Sequence, residues 1–158
     1  MTSIHAYSSD QPLQDYAQGD QRRSRSAAQN IIPNANASAA CVEQLLPRFA
    51  GRLSGCALNV PVQRGSLLDL NCVLREVANA EAINDVIRAA AAARPRMIAV
   101  AEDPIVSSDV IGCRQTLLFD ARGTQRAGSR MVKTLAWYET LGHACRVLDV
   151  VRTYAALA

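Results

Sequence analysis

The sequence has almost no lysine. Lys133 stands alone against 16 arginines, and the net charge is only +3 over 158 residues. Apart from the run QRRSR at 21–25 the arginines are scattered, which excludes the dense basic stripe of a nucleic-acid-binding surface. No apolar run approaches the roughly 20 residues needed to cross a bilayer, and the polar N-terminus lacks the charged-then-apolar order of a secretory signal. These absences lead to the expectation of a soluble, cytoplasmic chain with neither nucleic acid nor membrane as partner. There is no CxxC pair either, and the spacing of the five cysteines at 41, 56, 72, 113 and 145 suits no zinc site. They are expected to be reduced, small core residues. Histidine occurs only twice, at His5 and His143.

What is present is ordinary globular composition, 49% hydrophobic and 20% charged. A chain of this length buries about two thirds of its unfolded surface, so one domain, 1–158, is expected to carry its own core. The segment TSIHAYS alternates and is rich in β-formers, which makes it a strand that delivers His5 near its C-terminal end. The polar stretch 9–30 is too long for a simple connection and too poor in apolar residues for core, so it reads as a functional or interface loop. Asn36 or Ser38 is the expected N-cap of a short helix with Cys41, Leu45 and Leu46 on its apolar face and Pro47 at its end. The strands LSGCALNVPV and SLLDLNCVLREV, separated by a QRG turn, are expected to pair antiparallel.

Further along, AEAINDVIRAAAAARP is the clearest helix, with Ile83, Val86, Ile87 and Ala90 on one face and Pro95 as its stop. Strands are expected at 97–101, 115–120, 124–128 and 130–137, the last three divided by the turns ARG and GS. A final helix over about 139–157 places Leu141, Val147, Leu148, Val151 and Tyr154 at helical spacing. Strands gathered into a mostly antiparallel sheet with helices on one face make an α+β layer.

Several stretches of this chain, in order, resemble one family: TSIHAYSSDQ, RRSRSAAQNIIP, LNVP, AEDPIVSSD, LFDA, VKTLAWY and RVLDVV. The chain is similar to the C-terminal catalytic domain of glyceraldehyde-3-phosphate dehydrogenases and the related erythrose-4-phosphate dehydrogenases. The resemblance implies an α+β fold with a mixed, mostly antiparallel sheet of seven to nine strands and helices on one side. It also implies that the loop around 17–33 builds a homo-oligomer, a dimer or tetramer. Members of that family carry a dinucleotide-binding domain with a GxGxxG turn and a catalytic cysteine ahead of the histidine strand. The sequence holds no such turn and is read as beginning after that cysteine. No cofactor is therefore expected on this chain, and no phosphorylating aldehyde oxidation by it alone.

The resemblance places candidate site residues one by one. His5 matches the family's acid/base histidine. Ser8 and Asp10 match a threonine and an aspartate of its substrate-phosphate site. Asn59 stands in place of an arginine that clamps that phosphate, a loss of roughly ten- to hundredfold in affinity. Asn36, with Ala37, replaces residues of the inorganic-phosphate site, and Thr140 is the nearest counterpart of an asparagine that orients the nicotinamide. His143 falls where the family has a tyrosine lining the pocket opposite the catalytic histidine; the bland alternative is a solvated residue at a helix start. Tyr7 and Glu139 are weaker candidates to orient the histidines, and the QRRSR arginines read as oligomer contacts or a solvated loop rather than a ligand clamp.

Two imidazoles facing one cavity would suit proton transfer. The preferred expectation is a cofactor-independent acid/base enzyme of isomerase, lyase or cyclase type that reuses the pocket on a small biosynthetic substrate, with His5 and His143 as the catalytic pair. The alternatives are a non-catalytic subunit or regulator that uses the oligomer surfaces, and the C-terminal half of a split NAD-dependent phosphorylating aldehyde dehydrogenase.

Overall fold

The computed structural model describes residues 1–157. Its elements are β1 (Thr2–Ala6), β2 (Ile32–Ala35), α1 (Ser38–Leu45), β3 (Cys56–Val60) and β4 (Ser66–Val73), then α2 (Ala80–Ala93), β5 (Ile98–Ala101), β6 (Leu117–Ala127), β7 (Met131–Tyr138) and α3 (Thr140–Ala155). The strands form a seven-stranded mixed sheet in the order β2-β3-β1-β4-β7-β6-β5, at the lower end of the expected seven to nine. The chain divides into two compact units, Met1–Leu70 and the residues from Asn71 onward.

In the first unit β1 lies between β3, which it pairs in parallel, and β4, which it pairs antiparallel. The expected β3–β4 hairpin is therefore wrong. Only residues 61–65 connect these strands, but five extended residues reach up to about 17 Å, enough to pass one intervening strand at about 4.8 Å spacing. Strand β2, which the sequence reading did not anticipate, pairs antiparallel with β3 at the edge of the sheet. An edge tolerates the missing N–H of a proline. Residues 7–31 hold no helix or strand, as expected, yet this loop is folded on itself. The buried Ser26 donates its backbone N–H to the Asp15 carboxylate at 2.8 Å and its hydroxyl to the Leu13 carbonyl at 2.6 Å.

Helix α1 ends just before Pro47, as expected, but departs from expectation at its start and along its face. Its N-cap is Ala37, while the Asn36 side chain accepts the Ser38 N–H at 2.8 Å. Its supposed apolar face is turned outward, with Cys41 and Leu46 exposed and Leu45 80% exposed; only Ala39 is buried.

In the second unit β5 runs parallel to β6, and β6 antiparallel to β7. Helix α2 is capped by Asn79, whose side chain accepts the Ala82 N–H at 2.8 Å, and packs on β5 and β6. The residue that anchors it is the buried Asn84, which donates to the Ala121 carbonyl at 2.9 Å and accepts the Thr124 hydroxyl at 2.7 Å. Val86 is 67% exposed and does not belong to the packed face. Residues 121–123 are not a turn: β6 runs through them as one strand with a register irregularity between Asp120 and Gln125. The buried Asp120 carboxylate holds that irregularity by accepting the Arg122 and Gly123 N–H groups and the Trp137 Nε1–H. At Gly142 a side chain would meet the Gln115 carbonyl at 2.2 Å, so glycine is what lets α3 start against that backbone. No cysteine among the described residues is buried: Cys41 and Cys56 are exposed and the other three half-buried. The expectation of core thiols fails: on β3 the buried positions are Ala57 and Asn59, which leaves Cys56 on the exposed face, and Cys41 lies on the outward side of α1.

Candidate functional site

Alternation along β1 sends Ser3 and His5 to the same face, and register places Asn59 of β3 directly beside His5. The His5 ring is half-buried, and its Nδ1 lies 3.3 Å from the Ser66 hydroxyl at the start of β4. Burial lowers the imidazole pKa below its ordinary 6.5, so the ring is neutral at neutral pH and able to accept a proton.

Around this strand end the polar side chains join one another. Asn59, nearly buried, donates to the Ala6 carbonyl at 3.3 Å and accepts from the Asn34 amide of β2. Asn34 in turn accepts from Arg23 at 3.4 Å. Arg23 pairs with Asp10, and Asp10 accepts the Ser8 hydroxyl at 2.6 Å. The Ser8 bond, with the Arg23 charge beside it, holds the Asp10 carboxyl below its usual range. Gln11, buried, accepts both the Ser8 N–H at 3.2 Å and its hydroxyl at 3.3 Å. Asn36 donates to Ser3 at 3.0 Å on the same side of β1.

The structure thus brings His5, Ser8, Asp10, Asn36 and Asn59 into one region of the first unit. Sequence reasoning missed three members of it. Ser66 and Gln11 gave no signal, being an ordinary strand start and a loop amide. Arg23, within QRRSR, reads from sequence as an oligomer contact or a solvated loop residue. Its charge complementarity to Asp10, 13 residues away in a loop that returns on itself, was the available clue. Of the other candidates, Tyr7 follows β1 and donates its backbone N–H to the Val62 carbonyl at 3.2 Å. Thr140 and His143 stand in the first turn of α3 in the second unit, where His143 is exposed. Glu139 is the buried N-cap of that helix and accepts the Leu141 N–H at 3.0 Å, a role in folding.

Chemically the first unit offers a neutral base, a serine hydroxyl, one guanidinium already paired with a carboxylate, and amides engaged with one another. Such donors hold a polar or singly charged oxygen group readily. They neutralise a dianion poorly.

Comparison with known proteins gives this arrangement a context. Residues 1–140 match the family model described as glyceraldehyde 3-phosphate dehydrogenase, C-terminal domain. Proteins named glyceraldehyde-3-phosphate dehydrogenase are 39% identical in Clostridium acetobutylicum, over 100% of this chain and 48% of the relative, and 39% identical in Kitasatospora aureofaciens, over 99% and 47%. A third, from Mycobacterium avium, is 39% identical over 96% of this chain and 45% of its own length. The chain spans about half the length of the relatives it matches. These matches overturn the expected isomerase, lyase or cyclase. Relatives that align along the whole chain are named as dehydrogenases, and nothing in them favours a non-redox acid/base reaction. Among the described residues no helix is long and apolar enough to cross a membrane.

Proposed function

Because this chain belongs to the glyceraldehyde-3-phosphate dehydrogenase C-terminal-domain family, we propose that it is the substrate-handling half of an NAD-dependent phosphorylating aldehyde dehydrogenase. The dinucleotide-binding half would come from further chain or from a separate polypeptide. The observation that carries this reading is the neutral, half-buried His5 held by Ser66 at the strand end, with Ser8, Asp10 and Arg23 linked through Asn34 to its register neighbour Asn59.

The described residues do not themselves suit a dinucleotide. There is no GxGxxG turn, and at the start of α3 the N–H of Leu141 is already taken by the Glu139 carboxylate, whose charge opposes a pyrophosphate there. No step is therefore assigned to NAD on this chain. In the proposed role His5 takes a proton from the nucleophile or from the hydroxyl of the bound substrate, and its depressed pKa keeps it ready to do so at neutral pH. Ser8 and Arg23 hold the far end of the substrate. Asn59, short, uncharged and already engaged, adds no cation to that grip, so a phosphorylated aldehyde is held more weakly than by a site with a second free guanidinium.

Helix α3 supports the two-part reading. Val147, Val150, Val151 and Tyr154 are each at least half exposed and share one flank of the helix at 100° per residue, an apolar stripe suited to cover by the other half. The test is complementation: the purified chain is mixed or co-expressed with the N-terminal half of the Clostridium acetobutylicum relative, and NADH formation is followed with glyceraldehyde 3-phosphate and inorganic phosphate. Turnover absent from either half alone is expected. A stable complex with no turnover would overturn the proposal.

A further inference from the structure

The second unit contains a cleft of about 530 Å³ between α3, the connection from α2 to β5 and the segment before β6. Four arginines line it, Arg96, Arg114, Arg146 and Arg152, against one carboxylate, Asp149. Three of them converge on that carboxylate: Arg96 pairs with it, Arg146 lies at 3.0 Å and Arg152 at 3.7 Å. Arg146 is the most enclosed. It also donates to the Arg96 carbonyl, and its Nε is buried with no acceptor. Arg96 and Arg152 are mostly exposed, so their guanidiniums can turn to a second anion without unfolding anything. Pro95, Leu141 and Leu148 form an apolar part of the wall, and Gln115 and Cys145 complete it.

From this geometry we infer that the cleft binds a small organic diphosphate, with its charged end among the arginines and its uncharged ring or chain against the apolar wall. Guanidinium groups grip phosphate oxygens in pairs, and one carboxylate leaves most of their charge uncompensated. The volume falls in the range of small-molecule sites. A monoanion would compete poorly with Asp149, whereas a ligand with two phosphates engages Arg114 and Arg152 beyond it. The cleft side of α3 carries Leu141, Cys145, Leu148 and Arg152. The exposed stripe of Val147, Val150 and Val151 lies on the other flank, so this inference stands apart from the proposed function.

The experiment is calorimetric titration of the full chain at low ionic strength, with inorganic pyrophosphate and then adenosine diphosphate as probes. One-to-one binding of both is expected, weakened at least tenfold in Arg114→Gln/Arg152→Gln, unchanged in Arg126→Gln, and falling as salt is raised. A second readout needs no variant. Alkylation of Cys145, which lines the cleft, should slow when pyrophosphate is bound, while alkylation of the exposed Cys41 should not. No binding of either probe at millimolar concentration would overturn the inference. So would equal affinity in the double variant, or loss of binding in Arg23→Gln alone, which would put the anion in the first unit.

Discussion

Asn59 lies beside His5 across the β1–β3 pair and brings no charge to this face. Its amide bridges Asn34 and the Ala6 carbonyl, so it serves the sheet rather than a ligand. In an assembled, active enzyme, Asn59→Arg should lower the KM for a phosphorylated aldehyde by about tenfold or more, the worth of one charge-assisted phosphate contact, with little change in kcat. His5 makes a separate prediction about stability. Burial lowers its pKa in the folded chain, so below about pH 6.5 the unfolded chain binds more protons than the folded one, and stability falls as the pH drops. Denaturant midpoints measured between pH 7.5 and 5 should fall, and His5→Gln should flatten that part of the profile. The residue scale is also where sequence reading reached least evenly. The family's motifs single out His5, Ser8, Asp10, Asn36 and Asn59 as candidates, and all five lie in the first unit. Arg23, Gln11 and Ser66 are not singled out, because their places depend on how a long loop returns and which strand lies next to β1, and neither is written in local spacing.

At the scale of elements, strand and helix positions followed from alternation and period, since each is set by which side chains must be buried. Partner choice did not follow. The β3–β4 hairpin was the local guess, but β1, with two edges to satisfy, takes the place between them. The break expected at 121–123 was equally local reasoning: ARG looks like a turn until the Asp120 carboxylate accepts its N–H groups and keeps β6 continuous. Gly142 gives the sharpest test of an element junction. Adding a methyl group at that position would bring it within 2.2 Å of the Gln115 carbonyl, so Gly142→Ala should destabilise the chain by roughly 1–3 kcal/mol, the usual cost of forced overpacking. Thermal unfolding of the variant, with helix content followed by circular dichroism, measures it; a melting temperature equal to wild type would contradict the close approach.

At the scale of the whole molecule the chain forms two compact units and spans about half the length of the relatives it matches. The fold class was legible because several family blocks recur in order. Losses at individual positions suggest an isomerase, lyase or cyclase, but the entire chain aligns with proteins named as dehydrogenases. The exposed stripe on α3 makes a prediction at this scale: Val151→Asp should weaken association with a dinucleotide-binding half at least tenfold, measured by analytical ultracentrifugation of the mixture, while leaving the circular dichroism spectrum of the chain unchanged.

The most direct test of the account is NADH formation by the reconstituted pair, compared between the wild-type chain and His5→Gln at equal complex concentration. Turnover that depends on both halves and drops by about 100-fold or more in His5→Gln is predicted, the usual contribution of a positioned base. Turnover unaffected by the substitution, or a complex that forms and stays inert with the wild-type chain, would contradict it.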